Sequence, residues 1–466
     1  MKKKIILLSS VLFLCSALAS CGGNSSKIIL RIGFWPQSGE VKDVAMYQKW
    51  AADFEKDFPQ YSIKPAPYEY SPETVGSKAQ GGQLPDVFQT WVTEPETLKN
   101  SGFIRPITKA LEERGWDKVM DQGMKEALTF ENEIYAIPRD GYGLGLLINK
   151  RILGENDLLP QNEDGTYSLY KEDGMPAYPT TFEEIYEMSK AISENDSASG
   201  FLMYTTNKNG GWVFSNIAWN FGSTLEKKAD GKVVADFNED STVKALTWLQ
   251  NMAKDGCLFP GNGIVYNDWY SKIGSKVAMA VVGSDVLQEA KLQGKVDMGD
   301  LAFVPMPTGD GTHHYSLYGG TPFVFSKNTS DEKVDGILEF FNYIGRSPEV
   351  SDINFEAKKT GYETAKAKGQ PILPTIMPWS GEEYLAKAKA LEDSYINVNM
   401  EDYSPFFDTI QANKKTEEPY CAQDMYKALD EVIQALIDKP FTASPKALLE
   451  TATASFQKTL DASLGQ

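Results

Sequence analysis

Histidine is nearly missing from this chain. Only His313 and His314 occur in 466 residues, side by side near the turn-like Gly309-Asp310-Gly311-Thr312. Adjacent histidines in a turn seldom hold one metal ion together, so they read as a solvated loop, and imidazole-based acid–base chemistry has little to work with. Cysteine is scarce as well, with only Cys15, Cys21, Cys257 and Cys421, too few for a disulfide framework. Cations are outnumbered by acids, 46 to 64, for a formal charge of −18. A body so acidic, without a basic patch interleaved with aromatics, is repelled by nucleic acid and by anionic lipid. Beyond Leu18 no apolar run approaches the roughly 20 residues of a membrane-spanning helix. Gly141, Gly143 and Gly145 alternate in an apolar strand region, which is not the phosphate-cradling Gly-x-Gly-x-x-Gly spacing. A Gly-x-Ser-x-Gly nucleophile elbow is missing too. Paired carboxylates are inevitable among 64 acids and by themselves single out no glycosidase centre.

What is present begins at the N-terminus. Lys2, Lys3 and Lys4 precede an apolar run over 5–18 and the small residues Ala19-Ser20, the pattern of a secretory signal. Leu18-Ala19-Ser20-Cys21 resembles the bacterial lipobox, which implies cleavage before Cys21 and diacylation of its thiol. Residues 21–27 then read as a flexible polar tether. Losing residues 1–20 removes three lysines and no acid, which leaves 446 residues with a formal charge of −21. That length suits two or three domains of about 150 residues. Hydrophobic residues at 42% and aromatics at 12% suffice for ordinary globular interiors. Cys257 and Cys421 stay as free thiols or join in one disulfide outside the cell.

The mature chain alternates strands and helices. An apolar strand over 28–34 leads to a helix over 41–58, with Tyr47, Trp50, Ala51, Phe54 and Phe58 on one face and Pro59 as its stop. Strands over 61–64 and 85–88 complete a βαβαβ pattern, and hence an α/β fold with a mainly parallel sheet. A hairpin is expected over 130–137 and an apolar strand over 144–149. Residues 161–178 read as an inserted surface hairpin, turning at Asp164-Gly165 and Asp173-Gly174. Thr180 or Thr181 caps a helix to Ser193, and Ser241 caps another. Further strands are expected over 201–205, 277–282, 301–305 and 320–326, with helices over 334–344 and through most of 382–466.

Along nearly its whole mature length the chain resembles the extracellular solute-binding proteins of family 1, the carbohydrate-type ABC-importer lipoproteins that include maltose-binding protein. The pieces that carry this are Phe34-Trp35, Phe54-Glu55-Lys56-Asp57-Phe58-Pro59, Gly82-Gln83-Leu84-Pro85-Asp86-Val87-Phe88 and Ile134-Tyr135-Ala136-Ile137-Pro138. In the same order follow Leu147-Ile148-Asn149-Lys150, Thr181-Phe182-Glu183-Glu184, Val277-Ala278-Met279 and Gly319-Gly320-Thr321-Pro322-Phe323-Val324-Phe325-Ser326-Lys327. The resemblance implies a type II periplasmic-binding-protein-like fold, with two doubly wound sheets joined by a hinge of three crossings. These are expected near 139–142, 283–285 and 345–348. An N-terminal lobe of 28–140 and 285–346 and a C-terminal lobe of 141–284 and 347–466 would follow. It further implies a monomer, extracytoplasmic and anchored through Cys21, that captures a sugar by hinge closure and delivers it to ABC permease transmembrane subunits. No cofactor, metal or catalysis is implied. A secreted lipoprotein glycosidase and a sensory sugar-binding protein are the alternatives.

Sugar recognition needs flat aromatic rings for the C–H faces of a pyranose and polar groups for its hydroxyls. The candidates are aromatic and polar residues at strand ends. They are Trp35 and Gln37, Thr90 and Trp91, Asp140 and Tyr142, Trp212 and Trp219, Asp285, Gly320 and Trp379. Trp50 and Trp248 are read as core.

Overall fold

The structure, a computed structural model, describes residues 27–195 and 197–466. The expected signal segment and Cys21 lie outside the described residues. Two sheets organise the rest. The first has the order Tyr61–Pro65, Ile28–Ile32, Val87–Gln89, Phe323–Phe325, Ala136–Ile137. Its first three strands run parallel, and Phe323–Phe325 is antiparallel to both of its neighbours. Helices Val41–Asp57 and Asp331–Tyr343 cover it and bury Trp50, Phe54, Phe340 and Phe341.

The second sheet is built around Tyr142–Asn149. Val277–Gly283 runs antiparallel along one edge of that strand, Met279 facing Ile148 and Gly283 facing Leu144. Its other edge is shared, with Ser316–Gly319 at Tyr142 and Gly143 and Leu301–Val304 from Leu146 to Asn149. Strands Ser199–Leu202 and Lys414–Thr416 close the two sides. The central strands are buried on both faces, which explains their nearly unbroken apolar runs. The alternating glycines belong to this packing. A methyl group on Gly143 would lie 2.6 Å from Ile410 Cδ1, and one on Gly145 would lie 2.6 Å from the Phe303 ring. Small residues on one face thus let Phe303, Phe406 and Ile410 lie directly on the sheet.

Local chemistry follows the sequence at most turns, although helix Asp240–Lys254 starts one residue before Ser241, with Glu239 and not Ser241 at its cap position. Glu131 and Asn132 take positive φ in the turn between Thr129–Phe130 and Glu133–Ile134. Segment 161–178 forms two small turns rather than one hairpin, with Asp164 and Asp173 carboxylates accepting from Thr166 N and Met175 N. Gly154 is required beneath it, because a Cβ there would meet the Tyr167 ring at 2.1 Å. Cys257 and Cys421 are free thiols.

The lobe boundaries differ from expectation at two crossings. The chain does not leave the second sheet at 283–285. Ser284 N donates to Gly143 O at 3.0 Å and Ser284 Oγ accepts from Gly143 N at 3.2 Å, and the chain returns as Leu301–Val304 against the same strand. It crosses only at Gly320-Thr321-Pro322, inside what reads as one strand over 320–326. Nor does it cross at 345–348. Asn354 Nδ2 donates to Ser347 O and Glu349 O, folding helix Asp352–Ala367 back onto the first lobe. The third crossing follows helix Glu382–Asp393, after which Asp402 pairs with Lys150 and Tyr403 Oη donates to Met298 O at 3.1 Å in the second lobe. The first passage between the two sheets lies between Ile137 and Tyr142.

Candidate binding cleft

The cleft is assembled where the crossings meet. Asp140 ends the segment leaving the first sheet, and Tyr142 opens the central strand of the second. Gly283 ends the neighbouring strand, and the space above it is shared by three groups. A methyl built on Gly283 would lie 2.7 Å from Asp285 Oδ1, 3.3 Å from Tyr266 Oη and 3.8 Å from Tyr142 Cδ2. Only glycine lets this carboxylate, phenol and ring converge. Gly319 plays the same part beside it, since a methyl there would meet Tyr142 Oη at 2.4 Å and Glu417 Oε1 at 2.8 Å.

An aromatic wall rises from the second lobe. Trp212 stands between Tyr142 and Tyr266, edge-on to both, with centroids 6.0 and 5.4 Å apart, and Tyr204 backs Tyr266 at 5.2 Å. Trp212 belongs to helix Asn209–Trp219, whose first turn is held by a carboxylate from another helix. Asp430 accepts from Lys208 N at 2.5 Å and from Gly211 N at 2.8 Å. Gly211 sits so close to helix Ala422–Asp438 that a Cβ would meet Tyr426 O at 2.1 Å. The wall is therefore rigid, and Trp212 remains only half-buried.

Charges are arranged around it. Arg139 and Asp140 form an ion pair, and the Gln89 amide, turned oxygen-inward, accepts from Arg139 Nη1 at 2.9 Å. Burial opposes ionisation of Asp140, but Arg139, Arg346 and the Thr321 hydroxyl outweigh it and hold its carboxyl below the usual range. Asp285 is open to water yet walled in by protein, and that enclosure, with Asp140 nearby, pushes its carboxyl up to about 7. Burial also lifts Glu417 to about 7, although Tyr426 and Tyr142 donate to it at 2.6 and 3.4 Å. Opposite, Tyr70 and Trp91 meet edge-on at 5.4 Å in the first lobe. Gln423 Nε2 donates to Thr93 Oγ1 at 3.1 Å, and Lys414 pairs with Asp121 at 2.6 Å, across the lobes. A cavity of about 620 Å³ continues from Arg139 and Asp140 into the first lobe.

Asp140, Tyr142, Trp212 and Asp285 thus stand together, with Gly320 beneath them. A Cβ on Gly320 would lie 2.6 Å from Asp140 O. Trp91 is 40% exposed on the first lobe. Thr90 is buried, and its amide donates to Pro322 O at 3.0 Å. The remaining candidates sit apart from this group. Trp35 is buried edge-on against Tyr47, and Gln37 is exposed with its amide donating to Glu40 at 3.0 Å. Trp219 is fully buried, its Nε1 donating to Glu418 at 3.0 Å under the Lys415 ammonium. Trp379 is buried edge-on against Trp116, at the cavity's edge. Trp50 and Trp248 are buried.

Sequence reading passed over Tyr266, Glu417, Arg139 and Arg346. Arg139 was within reach, since it adjoins Asp140 between two apolar strands. Tyr266 and Glu417 enter from distant loops without a local signature. His313 pairs with Asp310 at 2.6 Å, and among the described residues no group of three His, Cys, Asp or Glu is placed to hold a metal ion.

Residues 49–375 match the family model described as bacterial extracellular solute-binding protein. The sn-glycerol-3-phosphate-binding periplasmic protein UgpB of Brucella melitensis biotype 1 is 24% identical over 312 residues, covering 65% of this chain and 68% of that protein. In structure the chain is similar to UgpB from Mycobacterium tuberculosis, solved in complex with glycerophosphocholine, with a TM-score of 0.67 at 16% identity over 94% of this chain and 99% of that one. It is also similar to the GacH receptor of Streptomyces glaucescens, with a TM-score of 0.65 at 17% identity over 93% and 99%. The two-lobe periplasmic-binding-protein-like architecture is therefore shared with both solved structures. The chain belongs to the bacterial extracellular solute-binding protein family.

Proposed function

We propose that this protein is a lipid-anchored, extracytoplasmic capture protein that closes its lobes on a sugar or oligosaccharide and hands it unchanged to the permease subunits of an ABC importer. The observation that carries this reading is the Tyr142–Trp212–Tyr266 wall beside Asp285 and the Arg139–Asp140 pair. Rings cover the apolar faces of a pyranose, while carboxylates and phenols pair its hydroxyls. A buried hydroxyl left unpaired costs about 1–3 kcal/mol, so these polar groups set selectivity. The adjoining chain crossings make hinge closure the natural cycle, and periplasmic binding proteins as a class are the general example of domains that close about a hinge on their ligand. Anchoring rests on Leu18-Ala19-Ser20-Cys21 ahead of the folded body.

The test is a thermal-shift screen of the purified protein across mono- and oligosaccharides, peptides and polyamines. A ligand at about 100-fold its Kd adds roughly 2.7 kcal/mol by mass action, an easily read rise in melting point. A carbohydrate that shifts the melting point and is recovered intact supports the reading. A shift with peptides or polyamines and none with carbohydrates overturns it.

A further inference from the structure

The cavity that runs from the cleft into the first lobe lies between helices Val41–Asp57, Asp352–Ala367 and Glu382–Asp393. Its charged lining consists of Arg139, Arg346 and Lys358 with Glu40, Asp43 and Asp140. Every acid is engaged. Glu40 accepts from Gln37 N at 3.0 Å, Asp43 pairs with Lys368, and Asp140 accepts from Arg139 and Thr321. Two of the cations are engaged likewise, Arg139 by Asp140 and Lys358 through its donation to Gly345 O at 2.6 Å. The Arg346 guanidinium alone makes no hydrogen bond or ion pair with any described residue, although it is half-buried among Tyr47, Tyr362 and Tyr384.

That guanidinium, which acts on Asp140 only at longer range, is held there by the fold. Gly345 takes φ +71°, and a Cβ on it would meet Lys358 N at 2.9 Å, so the turn before Arg346 packs against helix Asp352–Ala367. A guanidinium is weakly hydrated and offers a rigid fork that matches carboxylate or phosphate oxygens. Leaving it enclosed and unpaired is unfavourable, and an arriving oxyanion relieves that. The protein's overall charge of −18 repels anions at long range, so any preference for them has to arise from such a local site.

We propose that this cavity is an anion subsite. Arg346, flanked by Lys358, receives a carboxylate or phosphate group on a hydroxyl-rich ligand whose body lies against the Tyr142–Trp212–Tyr266 wall. The inference rests on the carbohydrate reading above and narrows it to acidic sugars. Burial and the neighbouring Arg346 push the Lys358 amine down to about 7, so an anion in the cavity would also draw this group back to its charged form.

Calorimetry on the purified protein with matched probes tests it. The probes are glucose, glucuronate and glucose 1-phosphate, with galactose and galacturonate as a second set. At least one acidic member should bind about tenfold or more tighter than its neutral partner, the size expected for hydrogen bonds to a charged group. Arg346→Met should collapse that preference to near unity, and Arg346→Lys should keep part of it. Which acid wins identifies carboxylate or phosphate as the group recognised. Neutral members binding as tightly as acidic ones, or a preference that survives Arg346→Met, overturns the anion subsite and leaves the carbohydrate reading standing. Binding of no member of either set overturns the acidic-sugar subsite, and the carbohydrate reading then stands or falls on the thermal-shift screen of oligosaccharides. If Arg346→Met fails to fold, the wild-type comparison of neutral with acidic members still decides.

Discussion

The carboxylate of Asp140 accepts two hydrogen bonds from Thr321, from its amide at 3.2 Å and its hydroxyl at 2.9 Å. The two residues lie on different crossings of the chain, so this contact ties together two of the strands on which the lobes would move. Removing the hydroxyl while keeping the shape isolates it. Thr321→Val should lower stability by about 1.5–3 kcal/mol, the scale of a hydrogen bond to a charged acceptor, and Thr321→Ser should restore most of it. Denaturant midpoints of the three proteins check this, and identical midpoints would remove Thr321 from the hinge.

Two tryptophans of one helix should behave in opposite ways. Trp212 is half-buried on the cleft wall, whereas Trp219 is fully buried. Trp212→Ala should weaken binding of the best sugar by roughly 30-fold, the scale of an aromatic hot spot of about 2 kcal/mol, with a small change in unliganded stability. Trp219→Ala empties a core site and should cost about 3–5 kcal/mol. Calorimetry and denaturant melts on both variants separate the two outcomes.

Glu417 makes stability depend on pH in a stated direction. Its folded pKa of about 7 lies above the ordinary value, so between pH 5 and 7 the native state holds a proton that the unfolded chain has lost. Wild-type stability contributed by this group is therefore present at pH 5 and lost as pH rises towards 7. The lowered Lys358 acts in the opposite sense, raising stability as pH climbs above 7, and stays out of this window. Glu417→Gln should gain stability relative to wild type as pH goes from 5 to 7. Parallel unfolding curves across that range would contradict the assignment.

Cys21→Ala should move the protein from the membrane fraction to the medium or the soluble extracytoplasmic fraction. Retention at the membrane by the variant would contradict the anchor.

The fold was legible wherever burial writes itself into composition. The runs at 144–149 and 277–282, the face of Trp50, Ala51 and Phe54, and the Asp-Gly turns at 164 and 173 all form as their residues demand. The lobe boundaries were not, because a crossing needs only a break of two or three residues. Gly320-Thr321-Pro322 interrupts an apolar stretch that reads as one strand, and Gly283-Ser284-Asp285 looks like an exit although Ser284 stays bonded to Gly143. Around the candidate cleft, Tyr142 and Asp285, at the ends of the central strands, were legible by position. Tyr266 and Glu417 were not, because they meet that site only through the two glycines at 283 and 319, whose missing side chains carry no sign of what fills the space.

Hinge closure is tested most directly by small-angle scattering of the purified protein with and without the sugar that shifts its melting point most. The account predicts a smaller radius of gyration at saturation, as the lobes shut over the Trp212 wall. Superimposable curves, with binding established by calorimetry on the same sample, would contradict it.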